Sequence, residues 1–233
     1  MKEAELKAGL LALLREQGAA LCGVGDLRGC VDDALTTGIS VALPVPAGIV
    51  RDLRTAPTLE YNAAYHDLNA RLNALVQAGA AYLTAHGYRA AAVTTDTVTV
   101  DDDHRSALPH KTAAVRAGLG WIGKSNLLVT KEYGASVRLS TLRTDAPMPV
   151  DGPLTEHGCG DCRRCVELCP AGALTGTVWQ PGMDRDRLLD AHRCFRTQLD
   201  RMEAATGLRT DLCGLCFAAC PYTLSRLRRE GIE

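Results

Sequence analysis

The chain has 233 residues, a formal net charge of −1, 46% hydrophobic residues and 23% charged residues. That composition is ample for a buried core, and a near-neutral balance sets up no global field for nucleic acid. No stretch approaches the ~18 consecutive apolar residues of a membrane span. The start, Met1-Lys2-Glu3-Ala4-Glu5-Leu6, lacks a basic region followed by an apolar block, so no secretory leader is expected. Ten cysteines, most of them tightly grouped, then point to metal ligation in a reducing cytoplasm rather than to disulfides.

A first helix is expected over 3–17, where Leu6, Leu10, Leu13 and Leu14 recur at helical spacing before Gly18. Residues 19–24 and 39–45 read as buried strands. Cys22 and Cys30, in or just after the first, read as small core residues or inert thiols. Over 58–85 a long amphipathic helix places Tyr61, Tyr65, Leu68, Leu72, Leu75 and Leu83 on one face, which reads as core. Residues 90–100 alternate threonine and valine and are β-prone. They end in Asp101, Asp102, Asp103 and His104, a run read as a solvated turn, with metal binding or proton donation as the alternatives.

Pro109 suits the start of a short helix over 110–117. It leads into Gly118-Leu119-Gly120-Trp121-Ile122-Gly123-Lys124-Ser125-Asn126, whose glycines let the backbone approach another group closely. The segment lacks the Walker spacing and follows a helix, so it is not read as a phosphate loop. Strands over 127–130 and 137–142 follow, turning at Tyr133 and Gly134. Pro147, Pro149, Gly152 and Pro153 mark a domain boundary. The expectation is an α+β protein, with an α/β domain over 1–150 and a ferredoxin-like domain over 151–233.

The second domain carries the chemistry. Cys159, Cys162 and Cys165, each separated by two residues, precede Cys169-Pro170, which is the bacterial ferredoxin run; Cys213, Cys216 and Cys220-Pro221 echo it in part. A [4Fe–4S] cube takes four thiolates, and in two-cluster ferredoxins the cysteine before proline crosses to the other cluster. One set is therefore Cys159, Cys162, Cys165 and Cys220. The other is Cys169, Cys213 and Cys216, completed by the isolated Cys194. Zinc sites usually pair two knuckles, and a triple run ending in Cys-Pro does not suit them. Trp179, Phe195 and Phe217 near these ligands read as water-excluding or core groups. Arg226, Arg228 and Arg229 read as a solvated helix face or a local basic patch.

The segment 118–124 combined with the triple cysteine run, Cys194 and the final Cys-Pro resembles the epoxyqueuosine reductases, from about residue 108 to residue 223. The resemblance implies an N-terminal cobalamin-binding domain related to that of reductive dehalogenases. It also implies two [4Fe–4S] clusters feeding electrons to the cobalt of a base-off corrinoid between the domains. The family's substrate is an epoxide in a modified tRNA nucleoside, and an electron donor of the flavodoxin or ferredoxin type is implied. Trp121, Lys124 and Ser125 fall in the family segment near the corrinoid and are the implied contacts to it, with interface packing as the alternative.

The chain departs from the family in two places. The family's Asp-Ser-Ala-Pro element, whose aspartate donates a proton, is replaced by Asp103-His104-Arg105-Ser106-Ala107-Leu108-Pro109. Ungapped counting puts His104 at the aspartate position, and an unperturbed histidine, with a pKa of ~6.5, can donate near neutral pH. The family's C-terminal helical-repeat domain is also missing before Glu233, which weakens the expectation of a tRNA surface. The chain then resembles the short double-cluster relatives, acting on a small molecule or a modified nucleoside. Two functions remain: a cytoplasmic corrinoid-dependent reductase with His104 or one of Asp101, Asp102 and Asp103 as proton source, or a two-cluster electron carrier that docks on a partner protein.

Overall fold

The computed structural model describes residues 2–154 and 157–232. In chain order the elements are α1 (Glu3–Glu16), β1 (Leu21–Asp26), β2 (Thr37–Pro44), α2 (Ala47–Asp52), α3 (Leu59–Ala85), β3 (Ala90–Val93) and α4 (His110–Arg116). There follow β4 (Trp121–Ile122), β5 (Leu128–Val129), β6 (Val137–Thr144), α5 (Arg164–Glu167), a 3-10 turn (Arg185–Arg187), α6 (Ala191–Thr206), α7 (Leu215–Ala218) and α8 (Pro221–Arg229). Two compact units result. The first comprises Met1–Pro44, Asp67–Trp121 and Arg138–Thr155; the second comprises Val45–His66, Ile122–Val137 and Glu156–Glu233. Among the described residues no helix is long and apolar enough to cross a membrane.

The first unit is built on a four-stranded sheet in the order β1-β2-β6-β3. β1 and β2 are antiparallel, with Cys22 opposite Val41 and Val24 opposite Ile39. β3 and β6 are antiparallel as well, with Ala91 opposite Arg143 and Val93 opposite Thr141. Helical spacing in α1 turns Leu6, Leu10 and Leu14 inward, and each is fully buried. Burial of such a side chain stabilises the fold by roughly 1.5–3 kcal/mol. Small residues set how closely the helices approach. A Cβ at Gly79 of α3 would lie 2.6 Å from Leu142 Cδ2 in β6, and one at Gly25 of β1 would lie 2.6 Å from the Arg116 carbonyl carbon at the end of α4.

β3 stops at Val93, short of the β-prone stretch expected over 90–100. The alternating threonines turn the chain instead. Thr94 N donates to Thr97 Oγ1 at 2.9 Å, and Thr97 N donates to Thr94 O at 3.0 Å. A hydroxyl that satisfies a nearby backbone group competes with the strand ladder, and here it wins. Next along the chain, His110 opens α4 with its Nδ1 3.0 Å from Thr141 Oγ1 of β6. Burial, reinforced by the charge on Arg138, pushes its pKa down to about 4.

In the second unit, Arg226 of α8 is buried rather than part of a solvated face. Its Nη1 donates to Val45 O at 2.9 Å and to Ser136 Oγ at 3.1 Å, and its Nε donates to Glu230 Oε1 at 2.8 Å. The guanidinium also lies over the Tyr133 ring, 5.2 Å from its centroid. Beside it the turn at Gly134 takes φ +61° and presses on the backbone N of Thr223. Thr223 Oγ1 accepts from Ala135 N at 3.0 Å, which locks this turn to the first turn of α8.

Two predictions follow from these contacts. Gly134→Ala would combine a left-handed backbone with a collision against backbone, and is expected to cost well over the ~1–2 kcal/mol of the backbone term alone. Gly18→Ala also has positive φ, but its Cβ would meet nothing within 4 Å; urea unfolding should show a loss close to the backbone term there. His110, with its folded-state pKa depressed to about 4 from an ordinary 6.5, contributes stability that is present above pH 6.5 and lost as pH falls toward 4. Unfolding curves across that window should lose this slope in His110→Gln.

Candidate iron–sulfur site

Each cysteine of the second unit is presented by a short local device. Gly160 takes φ +45° and Cys162 N donates to Cys159 O at 3.0 Å, which curls the first loop into the single turn of α5. Asp190 caps α6 by accepting from Arg193 N at 2.9 Å, so Cys194 stands on that helix's first turn. Gly214, at φ +80°, makes the left-handed corner between Cys213 and α7, which carries Cys216. Cys220 is the N-cap of α8 and Pro221 occupies its first turn, where proline's fixed φ and missing N–H suit a helix start.

Cys159, Cys162, Cys165 and Cys220 line one cavity of about 100 Å³, shared with Lys124 and Ser125. The thiols ring a space rather than converging on a point. Among the described residues no three His, Cys, Asp or Glu side chains are placed to hold a single metal ion. Burial pushes the Cys165 thiol up to about 11, with Cys159, Cys220 and Cys162 adding to the rise. Burial likewise pushes Cys194 up to about 11, helped by Cys169 and Cys213. Cys216 is raised by burial and then by Cys213, Cys194, Cys165 and Cys169. The thiols that raise one another thus fall into two groups, and Cys165 also raises Cys216. Burial raises Cys220 too, against the pull of the backbone N–H groups of Thr223 and Tyr222. This donor chemistry fits four-thiolate cubes, which would take these half-buried groups as thiolates and displace their protons.

The glycine-rich segment contributes to the same cavity. A Cβ at Gly123 would collide with Val129 Cγ2 at 2.7 Å and stand in ordinary contact with Cys159 Sγ at 3.4 Å, so glycine here makes room for Val129 while the backbone lies beside the thiol. The next residue, Lys124, is buried, and its Nζ donates to Gly160 O at 2.7 Å and to Cys162 O at 3.2 Å. Trp121 is buried in β4.

Three further residues at this site carried little or no sequence signal. His157 Nε2 lies 3.1 Å from Ile122 O while its Nδ1 accepts from Cys159 N at 3.4 Å. Tyr222 donates its hydroxyl to Gly158 O at 3.2 Å. Gln198 Nε2 donates to Cys194 Sγ at 3.5 Å, and its place one turn after Cys194 on α6 is the only hint the sequence offers.

His104 lies in the first unit, on an exposed turn with φ +59°. Its backbone N donates to Asp101 O at 2.9 Å, and Asp101 Oδ1 accepts from Asp103 N and Arg105 N at 3.0 and 2.8 Å. The Asp101 carboxylate is therefore satisfied within the turn. The same unit holds a larger cavity of about 630 Å³, whose walls include Cys30, Asp33, Ala91, Val93, Ser106 and Arg143. Arg143 Nη1 donates to both carboxylate oxygens of Asp33, at 3.0 and 2.9 Å.

Residues 158–223 match the family of 4Fe-4S double cluster binding domains. The epoxyqueuosine reductase of Lactococcus garvieae is 39% identical over 123 residues, which are 50% of this chain and 32% of that protein. The Escherichia coli enzyme of the same name is 35% identical over 117 residues, 47% of this chain and 28% of that one. The matched segment thus spans about a third of these relatives' length or less. In fold, the epoxyqueuosine reductase of Streptococcus thermophilus superposes with a TM-score of 0.62 at 22% identity, covering 94% of this chain and 66% of that one. A catabolic reductive dehalogenase superposes at 0.76 and 18% identity, covering 95% of this chain and 32% of that one. The chain has a mixed α/β fold, is similar in sequence to the epoxyqueuosine reductases over about half its length, and carries a segment that matches the double [4Fe–4S] cluster domain.

Proposed function

We propose that this chain is an iron–sulfur reductase of the epoxyqueuosine reductase kind. One cluster is assigned to Cys159, Cys162, Cys165 and Cys220, and a second to Cys169, Cys194, Cys213 and Cys216. The observation that carries the reading is the cavity ringed by the first four thiols, inside a segment that matches a double-cluster domain. When bound, the clusters would supply one-electron transfer and a corrinoid a redox-active cobalt centre.

Support for a corrinoid comes from two sides. A neighbour in fold is a reductive dehalogenase described by B12-dependent dehalogenation. The first unit, in addition, has a cavity of about 630 Å³, within the roughly 300–1,000 Å³ of small-molecule and cofactor sites. A further neighbour is an epoxyqueuosine reductase in complex with an epoxyqueuosine-modified tRNA stem loop, and we take a modified nucleoside or a related small molecule as the substrate class here. The domain reading keeps a corrinoid-binding part over 1–150 and a cluster part over 151–233, with a flavodoxin- or ferredoxin-type protein as electron donor in the cytoplasm.

The chain's own residues divide the work. The half-buried thiols would hold iron as thiolates, their protons passing to solvent. The backbone N–H groups of Thr223 and Tyr222 orient and stabilise the Cys220 sulfur. Trp121 is assigned to the corrinoid side, together with whatever reach Lys124 and Ser125 have beyond the cysteine cavity. His104, an imidazole on an exposed turn, is the assigned proton donor and is resupplied by water.

Anaerobic reconstitution with iron and sulfide should load about eight irons per chain. Cys220→Ser and Cys194→Ser should each fall to about half, while Cys22→Ser and Cys30→Ser should keep the full complement; iron and sulfide assays decide, and zinc without iron would sink the reading. Titration of the loaded chain with cobalamin should shift the cobalt spectrum to a base-off form. An unchanged spectrum with full iron would leave a cluster-bearing electron carrier instead.

A further inference from the structure

We propose that Lys124 sets the reduction potential of the cluster held by Cys159, Cys162, Cys165 and Cys220, as a buried positive charge that favours its reduced state. The inference rests on the cluster assignment above and assigns this lysine a task at the thiols.

The geometry is specific. Lys124 is 7% exposed, and its side chain lines the cavity with all four thiols. Both acceptors of its ammonium, Gly160 O and Cys162 O, are neutral carbonyls of the loop that presents Cys159 and Cys162. Among the described residues no carboxylate pairs with it. The backbone just before it is held against Cys159 Sγ, where a Cβ at Gly123 would stand 3.4 Å from the sulfur.

An electron entering a four-thiolate cube adds one negative charge in a water-poor site, where charges interact more strongly than in bulk water. A fixed cation at the wall lowers the energy of the reduced form more than that of the oxidised form, and so raises the potential. Among the described residues, the side-chain hydrogen bond to a thiol of the second group comes from the neutral amide of Gln198, on Cys194 Sγ. The effect of Lys124 should therefore be selective for one cluster.

The test is an anaerobic redox titration of the reconstituted chain, in which a one-electron chemical reductant is added and each cluster is followed by electron paramagnetic resonance. The signal absent from Cys220→Ser identifies the first cluster. In Lys124→Met and Lys124→Gln, that cluster's oxidised-to-reduced ratio at the wild-type midpoint should rise at least about tenfold, which is about 59 mV for one electron. The second cluster should move much less, and Lys124→Arg should stay near wild type. Equal shifts in both clusters, no shift in fully loaded neutral variants, or a shift in Lys124→Arg as large as in Lys124→Met would each overturn the inference. If neither neutral variant retains iron, the ammonium serves loop assembly and the inference also falls. A wild-type chain that loads no [4Fe–4S] cluster would instead overturn the underlying assignment.

Discussion

The second unit depends on one backbone contact, the turn at Gly134 pressed against Thr223. Cys220 precedes α8 and belongs to a cavity whose other three thiols come from the loop and single helical turn around Cys159, Cys162 and Cys165. Nothing in the local chemistry of those loops brings Cys220 to them. The helix does so, and the helix is held at its first turn by the Gly134 contact and the bond from Ala135 N to Thr223 Oγ1. One turn further along, Arg226 ties the same helix to Val45 O and Ser136 Oγ. A buried guanidinium is costly unless its donors are used, and Val45, Ser136, Glu230 and the Tyr133 face use them.

Four polar side chains in this unit, Lys124 buried and the other three half-buried, each satisfy a backbone or cysteine group near the thiols. Lys124 donates to two carbonyls of the first cysteine loop, His157 spans Ile122 and Cys159, Tyr222 reaches Gly158, and Gln198 reaches Cys194. Loops that wrap a compact cube leave many carbonyls and N–H groups without ladder partners, and side chains must supply them. Burial disfavours the ionised form of Cys165, Cys194, Cys216 and Cys220, so iron loading there would be a proton-linked event.

Periodicity made the regular elements legible. The stripe from Tyr61 to Leu83 on α3 and Leu6, Leu10 and Leu14 of α1 fall inward as their spacing predicts, apart from Tyr65, half-buried beside His66; in α1, Leu13 is half-buried and Leu11 is buried instead. The end of β3 was not legible, because threonine is equally at home in a strand and in a hydroxyl-capped turn, and the alternation itself gave no way to choose. α5 and α7 were also invisible. They are four residues each and are set by the cysteine loops rather than by any apolar period.

Ligand spacing was readable from the order of residues, because two intervening residues are what one loop needs to offer thiols to adjacent corners of a cube. The nature of residues 118–126 was not. Its glycines announced a close approach without saying to what, and only the fold put Gly123 beside Cys159 and Lys124 on the cysteine loop. Likewise the three terminal arginines look alike in sequence, yet Arg226 is buried and Arg228 is exposed. The sequence by itself determined which chemistry this chain can carry, because thiol count, spacing and the Cys-Pro steps are local properties. The tertiary structure alone decided which neutral or charged group faces each thiol, because that depends on contacts between segments far apart in the chain.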